Sequence, residues 1–197
     1  MMKRLPIHFL MLSALVVLFA SCDRQNLTPA PVIEPPMVQL NYDGDNLTAP
    51  LLPAGIYEAG VKFTPPELVG LDGKTLSQVI LFMQDIPVAA TVRVFEGTTN
   101  GAPETLLSSQ GVRSDLEAFS WNQIFLTSPV EIDSDKDLWI TFRFELGQEL
   151  QSLGCDPGPA NENGDYLFEN ADNLWQKLSA RTGGGIDINW NLRAVVE

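Results

Sequence analysis

The chain is expected to be all-β, an antiparallel jelly-roll-like β-sandwich with one short helical turn, carried on a Pro-rich N-terminal tether. Three observations predict this. About eight or nine short segments mix apolar and polar residues and are parted by Gly, Pro, Asn and Asp clusters, as strands joined by turns are. No stretch repeats its apolar residues at helical spacing over a useful length. Pro29, Pro31, Pro35, Pro36, Pro50 and Pro53 crowd residues 22–53, which show little hydrophobic periodicity and read as a tether.

Taken in order, Tyr57 to Phe63 reads as the first strand of a domain spanning residues 54–197. It runs into Thr64-Pro65-Pro66-Glu67, where Thr as N-cap, Pro at the first helical position and Glu three residues on spell a capping box. Thr75 to Gln84 contains the unbroken apolar run Val79 to Met83, which predicts a strand covered on both faces. Thr91 to Phe95 alternates, and Thr105 to Gln110 follows a Gly97 to Pro103 turn as an edge strand.

Phe119 to Leu126 and Leu138 to Leu146 are strong strand segments. In the second, Leu138, Ile140, Phe142 and Phe144 share the face assigned to the core, and Trp139, Thr141, Arg143 and Glu145 share the other. Gly147 to Gly164 reads as a long loop. Tyr166 to Glu169, the turn Asn170 to Asn173 and Leu174 to Leu178 make a hairpin. The last strand, Ile188 to Val196, points Ile188, Trp190, Leu192, Ala194 and Val196 inward.

At the other end of the chain, Lys3 and Arg4 precede the apolar run Phe9 to Ala20, a run too short to span a bilayer. Leu18-Phe19-Ala20-Ser21-Cys22 resembles the lipobox of bacterial lipoproteins. The resemblance implies that residues 1–21 are a lipoprotein signal peptide, that Cys22 is lipidated, and that the membrane is a partner through that lipid. The location expected is the bacterial envelope, at the outer membrane, on its periplasmic or surface face.

The net charge of −13 becomes two units more negative once Lys3 and Arg4 leave with the leader, and a field of that sign repels nucleic acid. His8, the only histidine, leaves with it too, so the mature chain offers no imidazole for a triad or a metal. Cys155 has no free cysteine to pair with once Cys22 is acylated and reads as a small buried hydrophobe.

Candidate binding residues cluster late in the chain. The loop Gly154 to Asp165 gathers oxygen ligands of the kind calcium takes, from Asp156, Asn161, Glu162, Asn163 and Asp165, although the same residue types form turns for local reasons. Calcium is therefore the one cofactor considered. Asp133 to Asp137 alternates like an EF-hand loop, yet Leu138 stands where Gly is needed and Phe144 where Glu is needed, so it reads as a turn. Among the tryptophans, Trp190 and Trp121 are assigned to packing and Trp139 to the face away from the core. Trp175, beside a polar turn, is the candidate platform for a sugar ring, with Tyr166, Asp156 and Asp165 as its companions.

The segments Tyr57-Glu58-Ala59 with Phe63, Leu138-Trp139-Ile140, Gly154-Cys155-Asp156-Pro157-Gly158-Pro159, Gly164-Asp165, Trp175 with Leu178, and Asn189-Trp190-Asn191-Leu192-Arg193-Ala194 carry a further likeness. In that order they resemble β-sandwich modules of exported Bacteroidetes proteins, similar in type to the jelly-roll adhesin modules of gingipain-like and haemagglutinin-like proteins. The resemblance covers roughly residues 55–196. It implies a non-catalytic module for adhesion, with glycan or envelope protein as partner and no catalytic residues to assign. Two other readings stand beside it: a structural accessory subunit of an outer-membrane complex, and, more remotely, a hydrolase using paired carboxylates.

Overall fold

The computed structural model describes residues 37–97 and 101–197. Cys22 and the tether as far as residue 36 lie outside the described residues. Twelve strands follow one another: β1 (Val38–Leu40), β2 (Leu51–Leu52), β3 (Gly55–Phe63), β4 (Thr75–Met83), β5 (Ala89–Gly97), β6 (Pro103–Gly111), β7 (Ser120–Glu131), β8 (Asp137–Leu146), β9 (Leu150–Gln151), β10 (Tyr166–Glu169), β11 (Leu174–Lys177) and β12 (Leu192–Val196). Among the described residues, helical structure is confined to 3-10 turns at Pro65–Glu67 and Arg113–Asp115 and to the single-turn helix α1 (Leu178–Arg181).

The strands form a β-sandwich. One sheet has the order β1-β12-β4-β7, the other β11-β10-β3-β8-β5-β6, and β2 pairs with β9 at the side. Every pairing is antiparallel. The inner faces meet as the alternation requires. Leu138, Ile140, Phe142 and Phe144 of β8, with Ala59 and Val61 of β3, face Val79, Leu81 and Met83 of β4 and Leu192, Ala194 and Val196 of β12 across one buried cluster. Each large apolar side chain moved from water into that layer contributes on the order of 1.5–3 kcal/mol.

The predicted helical turn is present at Pro65–Glu67, where the Glu67 carboxylate accepts hydrogen bonds from the Thr64 N–H and the Thr64 hydroxyl, both at 2.8 Å. The predicted hairpin is β10–β11, and Asn173 closes its turn at φ 56°, a left-handed value that asparagine tolerates.

Two expectations need correction. The tether does not run to Pro53: Val38, Gln39 and Leu40 pair with Val196, Val195 and Ala194, and Ala49 is buried. Proline spacing marked a segment with little regular structure, but polar residues between the prolines tie it to the sandwich. Strand β4 is not covered on both faces either. Val79, Leu81 and Met83 are buried, whereas Ile80 and Phe82 are only half-buried on the outer face, because the described residues form no second layer there.

Candidate functional site

The loop read as a calcium site is a hydrogen-bonded turn network. Asp156 is 5 % exposed. Its Oδ1 accepts from the N–H groups of Gly158 at 2.9 Å and Asn189 at 2.7 Å, and its Oδ2 accepts from the Gly44 N–H at 3.1 Å and from Asn189 Nδ2 at 3.0 Å. Burial alone raises the pKa of this carboxyl, but the Asn189, Gly158 and Gly44 donors outweigh it and hold the group below the ordinary carboxylate value.

Asn161 Oδ1 accepts from the Asn163 N–H at 2.9 Å, and the Asn163 carbonyl accepts from the Lys62 N–H at 2.9 Å. Asp165 turns its Oδ2 to the N–H and hydroxyl of Ser179 and so caps α1. These oxygens are occupied by N–H and O–H donors, while the buried Asp165 Oδ1 has no hydrogen-bond partner among the described residues. Among the described residues no group of three or more His, Cys, Asp or Glu side chains is placed to hold a metal ion.

The aromatic candidates pack on the outer face of the six-stranded sheet. Trp139 is fully buried there, its ring 4.7 Å from Tyr166 and 5.8 Å from Trp175, with the Lys62 ammonium 5.8 Å from its centroid. Trp175 is half-buried beside Phe168 at 5.6 Å, and a Cβ at Gly60 would meet its ring at 3.1 Å. Glycine at position 60 is what lets the indole lie flat on the sheet. Tyr166 is 9 % exposed. The structure therefore brings Trp175 and Tyr166 together but leaves Asp156 elsewhere, against Asn189 and Gly44.

Trp190 is buried as predicted, with Nε1 donating to the Tyr166 carbonyl at 2.9 Å. Trp121 is half-buried on the other sheet, edge-on to Phe82 and overlain by the Arg193 guanidinium at 4.0 Å. Cys155 is buried, and burial followed by the neighbouring Asp156 charge pushes its thiol up to about 12, which keeps it a thiol at neutral pH.

Two open clefts lie among the described residues. One, of about 300 Å³, is lined by Asp72, Glu96, Glu131 and Asp133; Lys136 Nζ sits 2.8 Å from Glu96 and 2.9 Å from Asp133, and Asp72 accepts from the Ser134 N–H at 3.2 Å.

The other, of about 270 Å³, is a shallow groove on the outer face of the four-stranded sheet. Its floor includes Ile80 and Val195, and Met37, Gln39, Gln78, Gln123 and Phe125 border it. Phe125 and Met37 are each 64 % exposed. Strand register explains the arrangement: Gln78 pairs with Phe125 and Ile80 with Gln123 across β4 and β7, so amide, phenyl, aliphatic and amide groups form a two-by-two patch. The Gln78 and Gln123 carboxamides have no hydrogen-bond partner among the described residues.

None of these groove residues was singled out from the sequence. The signal was present in Phe119-Ser120-Trp121-Asn122-Gln123-Ile124-Phe125-Leu126, whose alternate positions give one row with Ile124 and Leu126 and another with Trp121, Gln123 and Phe125. Both rows are rich in apolar groups, so alternation alone does not say which is inside.

No protein-family profile matches the chain, and no curated protein matches it. Among solved structures it is similar to the clostridial cysteine protease Cwp84 after propeptide cleavage, with a TM-score of 0.61 and 14% identity, covering 82% of this chain and 40% of that one. It is also similar to a crystal structure of the cysteine protease and lectin-like domains of Cwp84, a surface layer associated protein of Clostridium difficile. There the TM-score is 0.53 and the identity 15%, over 73% of this chain and 32% of that one. The chain thus spans less than half the length of either. The region it overlays is the lectin-like domain and not the protease, and the likeness is one of fold.

Proposed function

We propose that this protein is a non-catalytic binding module of the bacterial envelope, lipid-anchored through Cys22 and carrying its ligand, a glycan or an envelope protein, on the outer face of the four-stranded sheet. The observation that carries the reading is the groove beside Phe125: an exposed ring and two carboxamides without a hydrogen-bond partner among the described residues, on one sheet face. Such a surface can hold a ligand and has no group poised to react with one. The lectin-like domain of Cwp84, a surface layer associated protein, shares the fold and lends support. So does the lipobox-like Leu18 to Cys22, because a thiol that takes acyl chains at the end of a signal sequence supplies stable membrane attachment.

Two measurements test the proposal. Cells growing on a labelled fatty acid should place the label on this polypeptide, and Cys22→Ala should abolish it; a missing label with the leader still attached overturns the anchoring. A glycan array together with binding to isolated envelopes, using the soluble fragment 23–197, should give a positive in at least one. Blank results in both overturn the binding role.

A further inference from the structure

We infer that the groove on the four-stranded sheet takes an uncharged glycan, with one pyranose ring seated on Phe125 and its hydroxyls bonded to the carboxamides of Gln78 and Gln123. This rests on the binding role proposed above and specifies its ligand.

The first argument is charge. The chain has 25 Asp and Glu residues against 12 Lys and Arg, yet none of the side chains lining this groove is ionisable. Arg193, next to Ile80 in β12, has its guanidinium held by Asp43, whose side chain is fully buried. A charged ligand would give up its hydration here and gain no partner in return, which selects against uronic, sulfated or phosphorylated chains.

The second argument is the type of polar group. A carboxamide offers both donors and an acceptor, and so does a hydroxyl, whereas carboxylates only accept and ammonium groups only donate. The two carboxamides on either side of Phe125 and Ile80 therefore match a ring that carries hydroxyls at its rim and C–H groups on its face. The face fits the exposed phenyl of Phe125.

The third is dimension. Neighbouring strands lie about 4.8 Å apart, and like-facing residues along one strand about 7 Å apart, so the patch of Gln78, Phe125, Ile80 and Gln123 has the footprint of a single sugar ring. Exposed Met37 and Gln39 lie beyond Gln78 on the β1 side and extend the same surface toward a second ring. A peptide would look instead for a free sheet edge or a deep apolar pocket, and this groove lies on a sheet face and is shallow.

The experiment is affinity electrophoresis of the purified full-length protein in a sugar-free detergent, with neutral polysaccharides (a β-glucan, a mannan, a xylan) or acidic ones (alginate, heparin) cast into the gel. Retardation by at least one neutral polymer and by neither acidic one is expected. Phe125→Ala and the double change Gln78→Ala with Gln123→Ala should each weaken that retardation at least ten-fold while the thermal melting curve stays in place.

Three positive results overturn the assignment. They are retardation only by acidic polymers, retardation by neutral polymers that the variants do not affect, and a dimer in analytical ultracentrifugation that Phe125→Ala dissociates, which would give the patch to a second copy of the chain. A positive envelope-binding result with no retardation by any neutral polymer would leave the binding role standing and remove the glycan from this groove.

Discussion

Arg193 Nε lies 3.1 and 2.9 Å from the two carboxylate oxygens of Asp43, and the same guanidinium stacks 4.0 Å above the ring of Trp121. The pair fastens a segment that reads as tether to the strand at the centre of the four-stranded sheet. Asn191 Nδ2 adds a hydrogen bond to Asp43 at 2.8 Å, and Tyr42 stacks on Phe63 at 5.1 Å while its hydroxyl donates to the Lys62 carbonyl at 2.7 Å.

Asp43→Ala should therefore lower unfolding stability by about 3 kcal/mol, because it strands a largely buried guanidinium without its counter-charge. Urea denaturation of the soluble fragment measures it. A change within about 0.5 kcal/mol would mean that the Asp43–Arg193 pair is not what fastens this segment to β12.

Asp156 should make stability sensitive to acid. Its folded pKa lies below the ordinary value, so its contribution is complete above the unfolded pKa of about 3.9 and disappears as pH falls through the lower folded value. Asp156→Asn should cost about 1.5–3 kcal/mol at pH 7, since an amide offers one acceptor oxygen in place of two charged ones. The gap between variant and parent should close below pH 4. A pH-independent gap would show that the carboxylate charge is not what the Asn189, Gly158 and Gly44 donors serve.

Cys155 is expected to be inert in the folded protein. At pH 8 a thiol titrating near 12 has almost no thiolate, and the side chain is buried. Iodoacetamide should leave it unmodified natively and alkylate it in urea, read by mass spectrometry. Rapid native labelling would contradict the burial.

Trp175 separates packing from binding on the six-stranded sheet. Trp175→Ala should destabilise by about 2 kcal/mol, because it uncovers Gly60 and the edge of buried Trp139. It should leave the retardation by neutral polysaccharides unchanged. Loss of retardation at full stability would return the sugar platform to Trp175.

The strand pattern was legible where one face was clearly polar. In β8 the row Leu138, Ile140, Phe142, Phe144 went inside as its alternation with Thr141, Arg143 and Glu145 requires. The capping box at Thr64 to Glu67 was legible because it is local, with every partner within three residues. The reading weakened in β4 and β7, where both rows are apolar enough to be core. Val79 to Met83 reads as doubly covered and Phe125 as one residue of a strand with two apolar rows, although Ile80 and Phe125 border an open groove. The ordered sandwich begins before Pro53 for a related reason: proline content describes local stiffness, whereas Asp43 is held by Arg193 and Asn191, about 150 residues away in sequence.

By itself the sequence determined that this is a strand-built domain of strongly acidic charge with a single histidine, His8, because alternation, turn residues and titratable side chains are properties of the chain read along its length. Only the tertiary structure decided which side of each sheet stays open and which carboxylates are already taken by N–H donors. Those outcomes depend on register between strands far apart in sequence. A single strand's pattern says which residues share a face and not what, if anything, comes to lie against it.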